Sequence, residues 1–225
     1  MCSRFSLTSS PDAVRAFFLY RGLPNFPPRR NIAPTQPVPI VRLDHRGERE
    51  FHLVRWGLVP GWVKDPREFT TLINARSETV FEKPSFRGAI MHRRCLVPAD
   101  GFYEWTGERG RKVPHYIRAG DRGLLAFAGI WETWLGADGS EFDSMAILTT
   151  AANGTMEAIH SRMPVILRPE DHDAWLDVQG SEKADVEALL RPASDELLEV
   201  EPVTWSLSHK IDAEATEPPA QGSLL

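Results

Sequence analysis

The sequence predicts an α+β protein, a single domain in which a strongly bent, largely antiparallel, barrel-like sheet is flanked by a few short helices. Three observations lead there. The 225 residues are 42% hydrophobic, enough to bury one sizeable core. Short apolar or aromatic runs at 38–43, 51–56, 95–98, 102–105, 114–118, 124–130 and 145–149 are bounded by turn residues and read as strands. Gly120-Asp-Arg-Gly123 and Ala137-Asp-Gly139 separate successive runs in the manner of hairpin turns, which makes the sheet antiparallel.

Taken in order, an N-terminal strand leads into Ser10-Pro11-Asp12, which supplies an N-cap, a first-turn proline and a first-turn acid. Val14, Phe17 and Phe18 then recur at helical spacing, so a short amphipathic helix follows. Prolines crowd residues 24–39 and favour an extended, ordered loop whose polar centre, 31–36, is suited to line a groove. Helical patterns occupy 155–160, 170–176 and 181–190, the last two opened by Pro169 and Ser181. After Lys210 the chain turns to acid, proline and glycine, which predicts a domain over 1–210 and a disordered acidic tail over 211–225.

No stretch approaches the roughly 18 apolar residues of a membrane span, and the N-terminus lacks the features of a secretory signal. A soluble, intracellular (cytoplasmic) protein is expected, and nothing demands more than a monomer. The two cysteines, Cys2 and Cys95, show no C-x-x-C or Cys/His zinc spacing, so neither a metal nor another cofactor is expected. Net charge is -5, yet residues 1–130 carry 21 Lys+Arg against 12 Asp+Glu, while residues 131–225 carry 5 against 19. That division fits a basic face for a polyanion, or simply an uneven soluble surface.

Cys2 has the most chemical content. Its small side chain suits removal of Met1, which leaves an α-amine and a thiol on one residue. With reference pKa values of about 8 and about 8.5, each group is expected to supply an appreciable reactive fraction at neutral pH. Such a 1,2-aminothiol attacks an aldehyde twice, forming a Schiff base and then a five-membered thiazolidine. The plain alternative is that position 2 merely tolerates a small residue.

Five further runs place polar groups amid strand-like or tight-turn residues: Asn31-Ile-Ala-Pro-Thr-Gln36, Arg55-Trp-Gly-Leu-Val-Pro-Gly-Trp62, Asn74-Ala-Arg-Ser-Glu-Thr79, Arg94-Cys-Leu-Val-Pro-Ala-Asp-Gly-Phe-Tyr-Glu-Trp105 and Ile159-His-Ser-Arg-Met-Pro164. With Met1-Cys2, their order and separation resemble the SOS response-associated peptidase (SRAP) family of abasic-site processing proteins, from Cys2 to about Lys210. The resemblance implies that Cys2 is the cross-linking nucleophile for the ring-opened sugar of an abasic site in single-stranded DNA. It implies Asn74, Glu104 and His160 as the polar residues around Cys2. Ser3 departs from the glycine common there, which bears on DNA approach.

Read on their own, these residues admit ordinary roles as well. Alternation puts Glu104 on one face with Phe102, where poor solvation suits proton transfer, although an edge glutamate facing water is the simpler fate. His160 suits hydrogen bonding to sugar hydroxyls or a structural role at a helix end, and Asn74 suits an amide contact or a helix cap. Arg4, Arg76 and Arg162 stand within two residues of Cys2, Asn74 and His160, each placed for a DNA phosphate or a surface ion pair. Trp62 and Trp105 are candidates to stack on bases, and Cys95 reads as a buried small hydrophobe. Two other functions stay open: an N-terminal-Cys peptidase or amidohydrolase, with Glu104 or the amine as base and Asn74 at the oxyanion, and a noncatalytic single-strand binder.

Overall fold

Ser10 caps the first helix as the sequence indicates: its side chain accepts from the Ala13 N–H, Pro11 occupies the first turn, and Leu19 closes the helix at φ 57°. The computed structural model describes residues 2–22, 24–108 and 111–203. Its strands are β1 (Phe5–Leu7), β2 (Arg29–Ile32), β3 (Pro37–Leu43), β4 (Arg49–Trp56), β5 (Asn74–Arg76), β6 (Arg94–Ala99) and β7 (Gly101–Thr106). There follow β8 (Val113–Ala119), β9 (Leu125–Leu135), β10 (Glu141–Ala151), β11 (Arg162–Pro164), β12 (Ile166–Leu167) and β13 (Leu198–Pro202). The helices are α1 (Pro11–Phe18), α2 (Arg87–His92), α3 (Gly154–Glu157), α4 (His172–Leu176) and α5 (Lys183–Leu189).

Strands β10, β4, β3, β6 and β9 hydrogen-bond in sequence, and a further β9–β10 pairing closes them into a five-stranded barrel. Closure depends on β9, which pairs with β6 through Leu125–Ile130 and with β10 from Gly129 onward. At the crossover Gly129 faces Cys95; a Cβ there would lie 2.8 Å from both the Cys95 Sγ and a Val97 methyl, so glycine permits the close approach. A second, five-stranded sheet runs β13-β8-β7-β1-β2. Among the described strand pairings those of β10 with β4 and with β5 are parallel, as is an isolated bridge between Arg21 and Glu50. The α+β, largely antiparallel, barrel-like architecture is therefore present.

Aromatic rings fill the space between the two sheets. Phe5 meets Trp56 edge-on at 5.1 Å and Phe127 at 6.0 Å, and Phe102 meets Phe127 at 5.8 Å. Each fully buried ring of this kind contributes roughly 1.5–3 kcal/mol from lost water contact. The same contacts fix β1, and hence the residues just before it, against the barrel.

Several expectations need correction. Gly120-Asp-Arg-Gly123 is a turn, with the Gly123 N–H donating to Asp121 Oδ1 at 2.8 Å, but it is not a hairpin. It carries the chain from β8 in one sheet to β9 in the other, and turn chemistry does not reveal which sheet each flanking strand joins. Ala137-Asp-Gly139 does close a hairpin, β9–β10, with Gly139 at φ 83°. The proline-rich 24–39 segment is not all loop: 29–32 forms β2 on β1, and β3 begins at Pro37. The helix read at 155–160 is shorter and starts at Gly154, capped by Asn153. The 170–176 pattern divides into a 3-10 turn and α4, and α5 is capped by Glu182 and Asp185 reciprocally instead of by Ser181. The tail read at 211–225 lies outside the described residues.

One buried titratable group gives the fold a pH limit. His172 in α4 is 1% exposed and stacks flat on Phe18 at 5.7 Å. Burial, assisted by the nearby Arg49 guanidinium and opposed by Asp173, Asp171 and a hydrogen bond with the Leu167 backbone, pulls its pKa from 6.5 down to about 4. Between these values the unfolded chain binds the extra proton. Stability is thus complete above about pH 6.5 and is lost as pH falls toward 4. The expected outcome is that His172→Phe, which keeps a ring against Phe18, flattens the fall in Tm between pH 6.5 and 4; an unaltered slope would count against this assignment.

Candidate active site

The N-terminal residues are held along β7 before β1 begins. Phe5 pairs with Phe102, and the Tyr103 N–H donates to the Arg4 carbonyl at 2.9 Å. This brings Cys2, whose side chain is fully buried, beside the β7 residues that follow Phe102. From the other side β5 lies parallel to β10, with Asn74 opposite Ile147. The Asn74 Nδ2 donates to the Cys2 carbonyl at 2.9 Å, while its Oδ1 is buried with no hydrogen-bond partner among the described residues.

Glu104 is 4% exposed and lies on the same face of β7 as Phe102, with His115 its cross-strand neighbour on β8. His115 Nε2 in turn lies 2.8 Å from Thr106 Oγ1. The Glu104 carboxylate is close enough to act electrostatically on the Cys2 thiol. Burial first, and Glu104 second, push that thiol well above the ordinary cysteine range. This shift belongs to the chain that still carries Met1, whereas the reactive fraction expected from reference values is that of Cys2 once it is the first residue.

His160 follows α3, its N–H donating to the Met156 carbonyl at 2.9 Å. Its Nδ1 lies 2.9 Å from the Arg162 N–H, which can only donate, and 3.2 Å from the Arg162 carbonyl. The shorter contact assigns Nδ1 as the acceptor, so a neutral ring carries its proton on Nε2. Strands β5 and β11 both pair with β10 at Thr149, which sets the Asn74 and His160 segments at one end of that strand.

The residues expected at DNA differ in their surroundings. Arg76 is exposed. Trp62 is 60% exposed, with its ring perpendicular to that of Phe69 at 5.7 Å. Trp105 is half-buried beside Tyr103, and Arg4 donates to the Ser3 carbonyl at 2.8 Å. Arg162 is committed elsewhere: its two terminal nitrogens meet both oxygens of Glu78 at 2.8 and 2.9 Å, and one also meets the Thr149 carbonyl at 2.6 Å. A phosphate contact from Arg162 requires release of Glu78. Glu78 and Thr149 were not singled out from the sequence, although Glu78 lies inside the Asn74-Ala-Arg-Ser-Glu-Thr79 run. Cys95 is fully buried on β6, with burial raising its thiol. Among the described residues no cluster of His, Cys, Asp and Glu is placed to hold a metal ion, and no helix is long and apolar enough to cross a membrane.

A family model described as SOS response associated peptidase (SRAP) matches residues 1–209. The chain belongs to the SRAP family. Among its relatives, the abasic site processing protein YoqW of Bacillus subtilis is 40% identical over 196 residues, 85% of this chain and 87% of that one. The abasic site processing protein HMCES of Xenopus tropicalis is 31% identical over 238 residues, 85% of this chain and 70% of the relative. A crystal structure of a protein from Bacteroides thetaiotaomicron superposes with a TM-score of 0.82 at 30% identity, covering 90% of this chain and 92% of that one. The family match over residues 1–209 spans both sheets and all the motif runs described above.

Proposed function

We propose that this SRAP protein processes abasic sites in single-stranded DNA by cross-linking Cys2, freed by loss of Met1, to the ring-opened sugar aldehyde. The observation that carries the reading is the convergence on one residue: Asn74 holds the Cys2 carbonyl at 2.9 Å while the Glu104 carboxylate acts on the Cys2 thiol.

Burial of the thiol beside Glu104 supports one order of events, with the amine acting first. The α-amine adds first to the aldehyde carbon, and the carbinolamine loses water to give an imine. The sulfur then adds to the imine carbon, its proton passes to Glu104 and on to the ring nitrogen, and a thiazolidine closes. Atoms balance with release of one water. Glu104, screened from solvent, serves both dehydration and thiol deprotonation, and His160 offers its Nε2–H to sugar hydroxyls. Asn74 fixes the carbonyl of Cys2 and, through its unpaired Oδ1, has an acceptor for the amine or the sugar. The imine also acidifies the neighbouring sugar carbon, so β-elimination of the 3′ phosphate competes until the thiol closes; a lyase activity follows from the same intermediate.

Arg76, exposed two residues after Asn74, and Arg4, two residues after Cys2, supply phosphate contacts, and Trp62 and Trp105 stack on flanking bases. Arg76→Ala is expected to weaken binding to single strands and to flatten the dependence of log K on log salt by about 0.7, one phosphate contact. Measurement of binding across a salt series checks this, and an unchanged slope would exclude the contact. Loss of Met1 by the protein's own action would account for a peptidase label without an external substrate. Turnover of added peptides by protein with a free Cys2 distinguishes hydrolysis from aldehyde capture.

A further inference from the structure

The Glu78–Arg162 pair joins two segments that carry different parts of the site. Glu78 sits in the turn directly after β5, which bears Asn74, and Arg162 opens β11, two residues after His160. The end of β10 lies between them, where Thr149 faces Arg76 on one edge and Pro164 on the other. Arg162 Nη1 and Nη2 meet the two Glu78 oxygens in a fork at 2.8 and 2.9 Å. Nη2 also donates to the Thr149 carbonyl at 2.6 Å, and Nε lies 3.4 Å from Thr149 Oγ1. The arginine side chain is 16% exposed and the glutamate 51%. Two-point pairing by a largely enclosed guanidinium is geometrically specific, unlike a single-point surface ion pair. The Arg162 guanidinium in turn holds the Glu78 carboxyl below the usual carboxylate range. The Arg162 backbone N–H is the donor to His160 Nδ1 at 2.9 Å, so whatever fixes Arg162 fixes the imidazole.

We propose that Glu78 is a positioning residue: by closing the Arg162 fork it orients His160 across the end of β10 and keeps the Arg162 charge off DNA phosphates. The first half rests on the aldehyde-capture reading above, whereas the second concerns DNA binding alone.

Glu78→Gln, Glu78→Asp and the double variant Glu78→Gln/Arg162→Gln test it, each followed by adduct formation on an abasic single strand and by salt-dependent binding to the same strand without a lesion. Glu78→Gln is expected to slow adduct formation about tenfold or more through misplacement of His160. It is also expected to steepen the salt slope by about 0.7, because the released guanidinium gains one phosphate. Adding Arg162→Gln should restore the wild-type slope but not the rate, and Glu78→Asp, which keeps the charge, should keep the wild-type slope. A merely structural role would not steepen the slope. An unchanged slope or an unchanged rate in Glu78→Gln overturns the proposal, as does loss of folding in both single variants, read by circular dichroism. If the wild-type protein forms no adduct, the aldehyde-capture reading fails, and the slope alone then decides whether Glu78 restrains Arg162.

Discussion

Cys2→Ala is expected to abolish the stable DNA adduct while leaving salt-sensitive binding to intact single strands nearly unchanged. The side chain is buried and carries no charge that a phosphate would seek, so its loss removes chemistry and not affinity. Met1 removal from the alanine variant would still leave an amine, and an imine should still form. It would be trapped only by borohydride reduction, and strand cleavage by β-elimination should rise, because no thiol closes the ring. Retention of Met1 should be as damaging as loss of sulfur, since the nitrogen of Cys2 is then an amide without a nucleophilic lone pair. Gel electrophoresis of each variant on an abasic strand reads both outcomes. A stable adduct formed by Cys2→Ala would defeat the assignment.

Arg94→Met is expected to cost about 3 kcal/mol or more of stability, a drop in Tm of about 10 °C for a chain of this size. Arg94 is 2% exposed on β6, and its guanidinium donates to the backbone carbonyls of Ile90, Met91, Trp175 and Asp177. These carbonyls belong to the last turn of α2 and the C-terminal end of α4, where orphaned acceptors and the negative end of the helix dipole both favour a cation. One side chain thus caps two helices onto the barrel. Burial lowers its pKa to about 10, which leaves it charged at neutral pH. Methionine fills the volume but removes the donors from four backbone acceptors, two of them in fully buried bonds. Arg94→Lys should recover little, because one ammonium cannot span both helix ends. Thermal melting decides, and a Tm within a degree or two of wild type would contradict the dual-cap account.

The strand runs were legible because the barrel strands β3, β4, β6, β9 and β10 are rich in Val, Ile, Leu and aromatic residues with clear turn residues between them. Strands β5, β11 and β12 were not, since two or three residues leave no alternation to detect and their existence depends on pairing to distant parts of β10 and β9. The Gly120 turn misled for a related reason: a local reversal carries no information about which sheet its neighbours enter. At β7, alternation correctly grouped Phe102 with Glu104, yet Tyr103 on the opposite face is also only 1% exposed. Its ring packs against Tyr116 at 5.0 Å and its hydroxyl donates to the Arg30 carbonyl, so the second face supplies its own cover.

The candidate site was legible mainly through the order of its motifs. Nothing in the spacing of Cys2, Asn74 and Glu104 brings them together; the pairing of β1 on β7 and the Asn74 hydrogen bond to the Cys2 carbonyl do so, while β11, which follows His160, pairs with β10 at the Thr149 that also pairs with β5. The same pairing hid two features from the sequence. With Met1 attached the Cys2 thiol is buried beside Glu104, and the Arg162 guanidinium meets Glu78, the ion-pair alternative that the sequence left open beside a phosphate contact.

Intact-mass and peptide-level mass spectrometry of the wild-type protein, with Cys2 verified as its first residue, incubated with an abasic single-stranded oligonucleotide, tests aldehyde capture by the Cys2 aminothiol. The expected product weighs one protein plus one oligonucleotide less one water, with the added mass on the peptide that begins at Cys2. No adduct on that protein, or an adduct located at Cys95 or on an internal lysine, would contradict aminothiol capture.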